Sequence, residues 1–272
     1  MALALPSSLS PSKVSAFKSC PLAFRFSAID KLPEPPSPQA VKGTLVHRAL
    51  ELFYWSRDPG RRTRDDAIAD LRQAWHDLAD DPEMVALDLS EEEASAFRTD
   101  AEALVLRYFD VEDPDSVRPL GLELVLEADI GPVLLRGIID RLEVTPSGDL
   151  FVTDYKTGRS PSQSYQQARL DGVQIYAYLC AQVLGRAPAK VQLLYLRDGV
   201  AITANISEQT LASVEKKTLA IWSAIERACQ NDDFRPRPSA LCGWCNFKAF
   251  CPAFGGDPAM ARAAAGAGTN GL

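Results

Sequence analysis

Apolar positions along the chain change their period, and the changes mark off helical from extended stretches. From about 43 to 54, Leu45, Ala49, Leu52 and Phe53 recur at helical spacing, with His47 and Glu51 one turn apart. Residues 65–80 and 90–110 keep that period but carry many charges, which predicts helices with a solvated face. The period then drops to two. Strands are predicted at about 120–129, 132–144 and 150–156, where β-branched and apolar residues alternate with polar ones and Gly or Pro punctuates. A helix over 163–184 closed by Gly185, a strand at 190–196 (KVQLLYL) and a helix over 207–230 complete the series. Upstream, SPSKVSAFKSCPLAFRF (10–26) opens on a Ser-Pro helix start and reaches Pro21 directly after Cys20, which places Cys20 near a helix boundary. Four prolines within 30–42 read as a connector.

Helix, strands, helix, strand and helix in that order indicate α/β or α+β architecture, and an α/β chain with a mixed central β-sheet flanked by helices is expected. One domain is expected over 1–256. Within it, 59–115 reads as a helical insertion helping to form a strand channel, and 10–26 with 235–254 as a cysteine region. The Ala- and Gly-rich stretch 257–272 reads as a flexible tail, and no internal repeat is visible.

At 272 residues, 46% apolar and 24% charged, the chain has the composition of a soluble globular protein and not of a disordered one. MALALPSSLSPS lacks a positive n-region, and no stretch approaches the roughly 18 apolar residues a membrane helix needs, so a cytoplasmic protein without membrane contact is expected. Six cysteines are too sparse for a disulfide scaffold, which leaves thiolates free to bind metal. A net charge of -7 argues against a broad basic surface for nucleic acid. It does not exclude an enzyme that grips a few phosphates through divalent ions. Arg57, Arg61, Arg62 and Arg64 are either a local basic lining or a solvated loop face.

The turn signal TPSG at 145–148 should pair GIIDRLEV with DLFVTDYK as an antiparallel hairpin, setting Asp140 roughly opposite Asp154 and Tyr155. Alternation puts Asp154 and Lys156 on one face, about 7 Å apart along the strand. Two carboxylates buried together are costly unless a cation neutralises them, and a hard divalent ion such as Mg²⁺ does so. Lys156 could then orient a water or offset charge in the transition state. A D-x-K triplet alone reads more readily as a surface cross-strand salt bridge between Lys156 and Asp140 or Asp154.

Cys242-x2-Cys245-x5-Cys251 with a remote Cys20 can form one four-thiolate site tying distant parts of the chain together, for Zn²⁺ or an iron-sulfur cluster; spacing does not choose between them. Cys180 and Cys229, in apolar helical surroundings, read as buried free thiols, and His76, in a charged helix outside any motif, as a packed or solvated side chain and not a ligand.

Gly43-T-L-V-His47, Gly137-I-I-Asp140, Asp154-Y-Lys156 and Gln174-I-Y-A-Tyr178, in this order, resemble the motifs of the PD-(D/E)XK nuclease superfamily in its RecB-like branch. The resemblance implies a restriction-endonuclease-like core and a metal-dependent DNA nuclease, an exonuclease favouring single strands. It implies Mg²⁺ or Mn²⁺ held by His47, Asp140, Asp154 and the Tyr155 carbonyl, and catalytic roles for Asp140, Asp154, Lys156, Gln174 and Tyr178, with Glu123 in a weaker acidic role. The cysteines are similar to those of the AddB nuclease domain and the CRISPR-associated RecB-like adaptation nucleases. That likeness implies a 4Fe-4S cluster on Cys20, Cys242, Cys245 and Cys251 stapling the fold, with Zn²⁺ as second choice. It also implies DNA as partner, beside a separate helicase or CRISPR adaptation proteins, in repair, recombination or spacer acquisition.

Two rivals remain. One is a catalytically idle RecB-like DNA-binding or assembly module. The other is a penicillin-interacting serine enzyme, since Ser10-P-S-Lys13 and Lys156-Thr157-Gly158 match two of its motifs while S-D-N is missing.

Overall fold

A computed structural model describes residues 3–261. In chain order the helices are α1 (Pro11–Ser19), α2 (Pro21–Phe24), α3 (Pro38–Trp55), α4 (Arg64–Asp77), α5 (Pro82–Val85) and α6 (Glu91–Val111). Three strands follow, β1 (Pro119–Ile130), β2 (Val133–Val144) and β3 (Leu150–Lys156), then α7 (Gln163–Val183), β4 (Lys190–Tyr195), β5 (Val200–Asn205) and α8 (Glu208–Asn231). The strands form one mixed sheet in the order β1-β2-β3-β4-β5. The described residues divide into two compact units: Pro36–Leu126 with Gly137–Leu211, and 3–35 with 127–136 and 212–261.

In the larger unit, β3 pairs antiparallel with β2, Arg141 opposite Thr153, so one step further along Asp140 faces Asp154 as the turn signal predicted. β3 pairs in parallel with β4, which seats Lys156 beside Tyr195, and β4 pairs antiparallel with β5. β5 was not among the expected strands. Ile202 is its one buried side chain, so an edge strand of this kind has almost no hydrophobic pattern to read.

α3 begins earlier than its apolar period suggests. Ser37 caps it by accepting from the Ala40 N–H, and Pro38 occupies the first turn, where a proline starts a helix instead of extending a connector. The segment expected as an insertion supplies core: Leu71, Phe97, Val105 and Tyr108 from α4 and α6 are buried in one cluster with α3 and with Tyr155 and Leu194 of the sheet.

The arginine group is used up inside this layer. Arg57 pairs with Asp66 and Asp70, and Arg64 donates to Asp110 and the Leu106 carbonyl. Arg62 is buried, donates to the carbonyls of Arg57, Pro114 and Val117, and lies 4.6 Å from the Tyr54 ring. Three of the four expected lining cations are therefore engaged by carboxylates and carbonyls of this layer.

Tyr155 and Arg141 share the face of the hairpin opposite Asp154. Arg141 is fully buried and forks onto Glu112 at 2.7 and 2.8 Å, also reaching the Tyr155 hydroxyl at 2.9 Å and Thr153 at 3.1 Å. This network holds the middle residue of D-x-K from behind.

In the smaller unit, Ser10 caps α1 by accepting from the Lys13 N–H, and the Lys13 ammonium donates to the Ser8 carbonyl. Both side chains of the S-x-x-K match are thus engaged in local helix structure. α2 runs into a π-helical turn, Arg25–Ile29, whose buried Arg25 pairs with Asp30 and Asp232. Phe26 packs against Phe247 and Phe250 of the cysteine region at 5.5 and 6.1 Å between ring centroids. Of the expected tail, 262–272 lies outside the described residues; at its start Asp257 caps a helical turn by accepting from the Ala259 N–H, and Ala261 is buried. No helix among the described residues is long and apolar enough to cross a membrane.

Candidate active site

The hairpin register puts two nearly buried carboxyls side by side, Asp140 and Asp154. Asp140 Oδ2 accepts the Tyr155 N–H at 2.6 Å, so the strand carrying Asp154 also fixes the rotamer of Asp140. From α3, His47 places Nε2 3.1 Å from the Tyr155 carbonyl oxygen. Donating the Nε2–H to that carbonyl leaves the Nδ1 lone pair free, and Nδ1 faces Asp140 Oδ2 at 3.5 Å and Glu123 Oε1 at 3.9 Å. That is the tautomer a metal ligand requires.

Glu123 reaches this point through a break in β1. Its φ of 44° lies in the left-handed region, which costs a non-glycine residue of order 1–3 kcal/mol and re-aims its side chain within a strand. Ligand atoms of His47, Glu123 and Asp140 all fall within 4.8 Å of one another. Glu123, expected in a weaker acidic role, stands in the compact trio, while Asp154 is ion-paired with Lys156.

The electrostatics show what the trio lacks. Burial, then the Asp154 charge, pushes Asp140 up to about 6; burial, then Asp140, Glu51 and Asp154, pushes Glu123 up to about 7. Buried Asp154 Oδ2 accepts no well-aligned hydrogen bond despite its ion pair, so it has acceptor capacity to spare. Oxygen donors with one imidazole, all short of positive charge, fit Mg²⁺ or Mn²⁺. For Lys156, burial works against the charge, but the Asp154 carboxylate bonded to it and Asp140 nearby raise its pKa. Lys156 is therefore a standing cation.

A stability prediction follows with a definite sign. Asp140 and Glu123 hold protons more tightly when folded than when unfolded, so without metal, stability is greatest below the unfolded values near 4 and falls as pH rises through about 6 to 7. Melting scans in chelator should show a midpoint several degrees lower at pH 8 than at pH 5 from these groups. Millimolar Mg²⁺ or Mn²⁺ should recover the loss at pH 8. A metal-free midpoint that climbs over that range, with no metal effect, would contradict the assignment.

The tyrosine that reaches the acids is Tyr176. Burial, followed by the nearby Asp154 and Asp140 charges, pushes its phenol pKa up, so it stays protonated beside them. Gly137 makes room for it: a Cβ there would stand 2.9 Å from the Tyr176 ring and 2.8 Å from Leu179 Cδ1. The glycine of G-x-x-D thus seats the ring against β2. Gln174 and Tyr178 share a face of α7, but each residue turns the helix about 100°, so both lie roughly opposite Tyr176. Tyr178 is 5% exposed and packs among the buried residues of α7. Gly137→Ala should displace the Tyr176 ring and lower cleavage about 10- to 100-fold in steady-state assays, with Tyr176→Phe losing less. Full activity in Gly137→Ala would refute this seating.

Cys20, Cys242, Cys245 and Cys251 line one small cavity with apolar walls that include Leu22, Phe26 and Phe247. Backbone N–H groups of Arg237 and Ser239 point at the sulfurs of Cys20 and Cys242, at 3.5 and 3.3 Å. Burial pushes the Cys245 thiol up, and charge on Cys20, Cys242 or Cys251 pushes it further. Cys180 and Cys229 are buried free thiols.

Residues 8–252 match the PD-(D/E)XK nuclease superfamily. The chain is similar to the Gene 69 protein of Mycobacterium phage D29, 24% identical over 274 residues that cover 90% of this chain and 96% of that protein. Similarity to the Gene 69 protein of Mycobacterium phage L5 is 26% over 140 residues, 49% of this chain; the match spans 44% of the phage protein's length. In fold it is similar to the crystal structure of a "Putative exonuclease" from Eubacterium rectale, with a TM-score of 0.55 and 12% identity over 88% of this chain and 87% of the other.

Proposed function

Because this chain belongs to the PD-(D/E)XK nuclease superfamily, we propose that it is a metal-dependent deoxyribonuclease, an exonuclease of the RecB-like branch that favours single strands. One observation carries the reading: His47, Glu123 and Asp140 present ligand atoms within 4.8 Å of one another beside the Asp154–Lys156 pair. A divalent cation held by those three would supply positive charge to a phosphoryl oxygen and acidity to a water.

The chain's own groups do the rest. Lys156, kept protonated by Asp154, offsets negative charge that develops on the phosphate, and Tyr176 stays a neutral phenol beside the acids. Tyr155 contributes its backbone: its N–H orients Asp140 and its carbonyl sets the His47 tautomer.

Four thiols around one apolar cavity fit a cysteinyl 4Fe-4S cluster, which would couple Cys20 to residues 242–251 as a structural staple. A brown preparation with stoichiometric iron supports it; zinc in place of iron refutes it. The AddB-like and CRISPR-adaptation settings, repair or spacer acquisition, rest on that cysteine arrangement.

The functional test is cleavage of single- and double-stranded DNA with Mg²⁺ or Mn²⁺ by the native chain and by Lys156→Ala. Metal-dependent cleavage lost by at least about 100-fold in the variant supports the reading. Equal activity in both would leave the idle DNA-binding module as the better account.

A further inference from the structure

α7 carries Tyr165, Arg169, Gly172 and Tyr176 in a line, spaced by four, three and four residues, which keeps them within about 60° of one another round the helix. The inner end is Tyr176, whose phenol feels the Asp154, Asp140 and Glu123 charges and whose ring lies against Gly137. At Gly172 a Cβ would meet nothing within 4 Å, so the helix backbone is bare there. Arg169 is exposed, and the Tyr195 phenol, which burial pushes up, feels Arg169 and Lys156 together as opposing positive charge. The outer end is Tyr165, a ring left 66% exposed. Exposed Arg159 and Arg197, in the loops that follow β3 and β4, both act on Asp198, whose carboxylate accepts the Ser160 N–H at 2.5 Å and hydroxyl at 2.8 Å.

This combination differs from the group at Arg57, Arg62 and Arg64, whose charges are consumed by carboxylates and carbonyls of their own layer. On α7, Arg169 stands one turn from the exposed Tyr165 ring along a bare helix stretch that ends at the acids, and Arg159 and Arg197 lie in the loops after β3 and β4. An aromatic platform with cations alongside suits a phosphodiester chain whose bases are unpaired.

We propose that this face of α7 is the track on which an unpaired DNA strand enters the acid site, one base stacking on Tyr165 and the phosphates met by Arg169, Arg159 and Arg197. The proposal rests on the nuclease reading for what lies at the inner end. Tyr165 stands eleven residues from Tyr176, about 16 Å at helical rise, so a small phosphate ester seated at the acids does not reach it.

The test measures binding of labelled oligo-dT and of a duplex of equal length, by fluorescence anisotropy in chelator so that nothing is cut. Tyr165→Ala should weaken single-strand binding about 10-fold and Tyr165→Phe should restore it, with duplex binding less affected. Arg169→Ala should lower the salt slope of single-strand binding by about 0.7. Tyr165→Ala binding as tightly as the native chain, absence of rescue by Phe, or an equal loss on duplex would each overturn the track. Hydrolysis of bis(p-nitrophenyl) phosphate with Mn²⁺ separates the two readings. If native and Tyr165→Ala both hydrolyse it while binding is unchanged, the track is wrong and the nuclease stands. If the native chain hydrolyses neither ester nor DNA, the nuclease reading falls and the binding comparison still decides the track.

Discussion

Asp140→Asn is expected to lower metal-dependent cleavage by about 1,000-fold or more while making the metal-free protein more stable at neutral pH. The two signs come from one cause. Asp140 is buried, faces Asp154, and shares the His47–Glu123 trio, so its charge is unfavourable until a cation arrives. An amide of the same shape still accepts the Tyr155 N–H, so the hairpin keeps its register. It no longer repels Asp154 and Glu123, so the metal-free melting midpoint at pH 7 to 8 should rise. It also removes one of two anionic ligands from the trio, so divalent affinity and the catalytic charge provided there should both collapse. Calorimetric titration with Mn²⁺, melting with and without metal, and cleavage assays read the three quantities separately. A variant that melts lower than the native chain in chelator, or that cleaves DNA normally, would show that Asp140 is not a ligand.

The hairpin carrying this acid was legible in the sequence because a turn signal and strict alternation together fix a register, and a register fixes which side chains meet. TPSG between two alternating segments was enough to bring Asp140 to Asp154. Glu123 was underweighted because its place depends on a left-handed φ within β1, a backbone event with no glycine to announce it. Tyr176 was passed over for Tyr178 because a motif spacing says that two residues share a helix face but not where that face points. Contact with Gly137 and Asp154 sets that phase, and such contacts are tertiary. The arginines misled for a related reason: a cluster in sequence says nothing about which carboxylates and carbonyls other elements will bring to it, and α4, α6 and the loop after it brought several. Among the described residues the trio of ligands draws on α3, β1 and β2, so no single local pattern could have announced it.

Arg141→Met is expected to destabilise the protein by about 3–5 kcal/mol, a large part of the roughly 5–15 kcal/mol that holds a typical domain folded. Arg141 has no exposed surface and satisfies the buried layer almost alone: Glu112 takes two of its N–H groups, Tyr155 and Thr153 accept from it, and Glu143 Oε2 lies 3.2 Å from Nε. Burial pushes Glu143 up while the Arg141 charge pulls it down, so removing the guanidinium releases that carboxyl to bind a proton. Methionine fills much of the space but leaves Glu112 uncompensated and the Tyr155 hydroxyl without its donor. Arg141→Lys keeps the charge and loses the fork, so it should fall between the two. The double variant Arg141→Met with Glu112→Gln should be markedly less destabilised than the sum of the single changes, because the orphaned charge is gone. Urea unfolding measures all four, and a loss below about 1 kcal/mol for Arg141→Met would show that the network is not needed for stability. Activity should fall further than the folded fraction. Tyr155 is anchored by Arg141 on one face of β3 and supplies on the other side the N–H that orients Asp140 and the carbonyl that meets His47, so slackness behind the strand reaches the ligands in front.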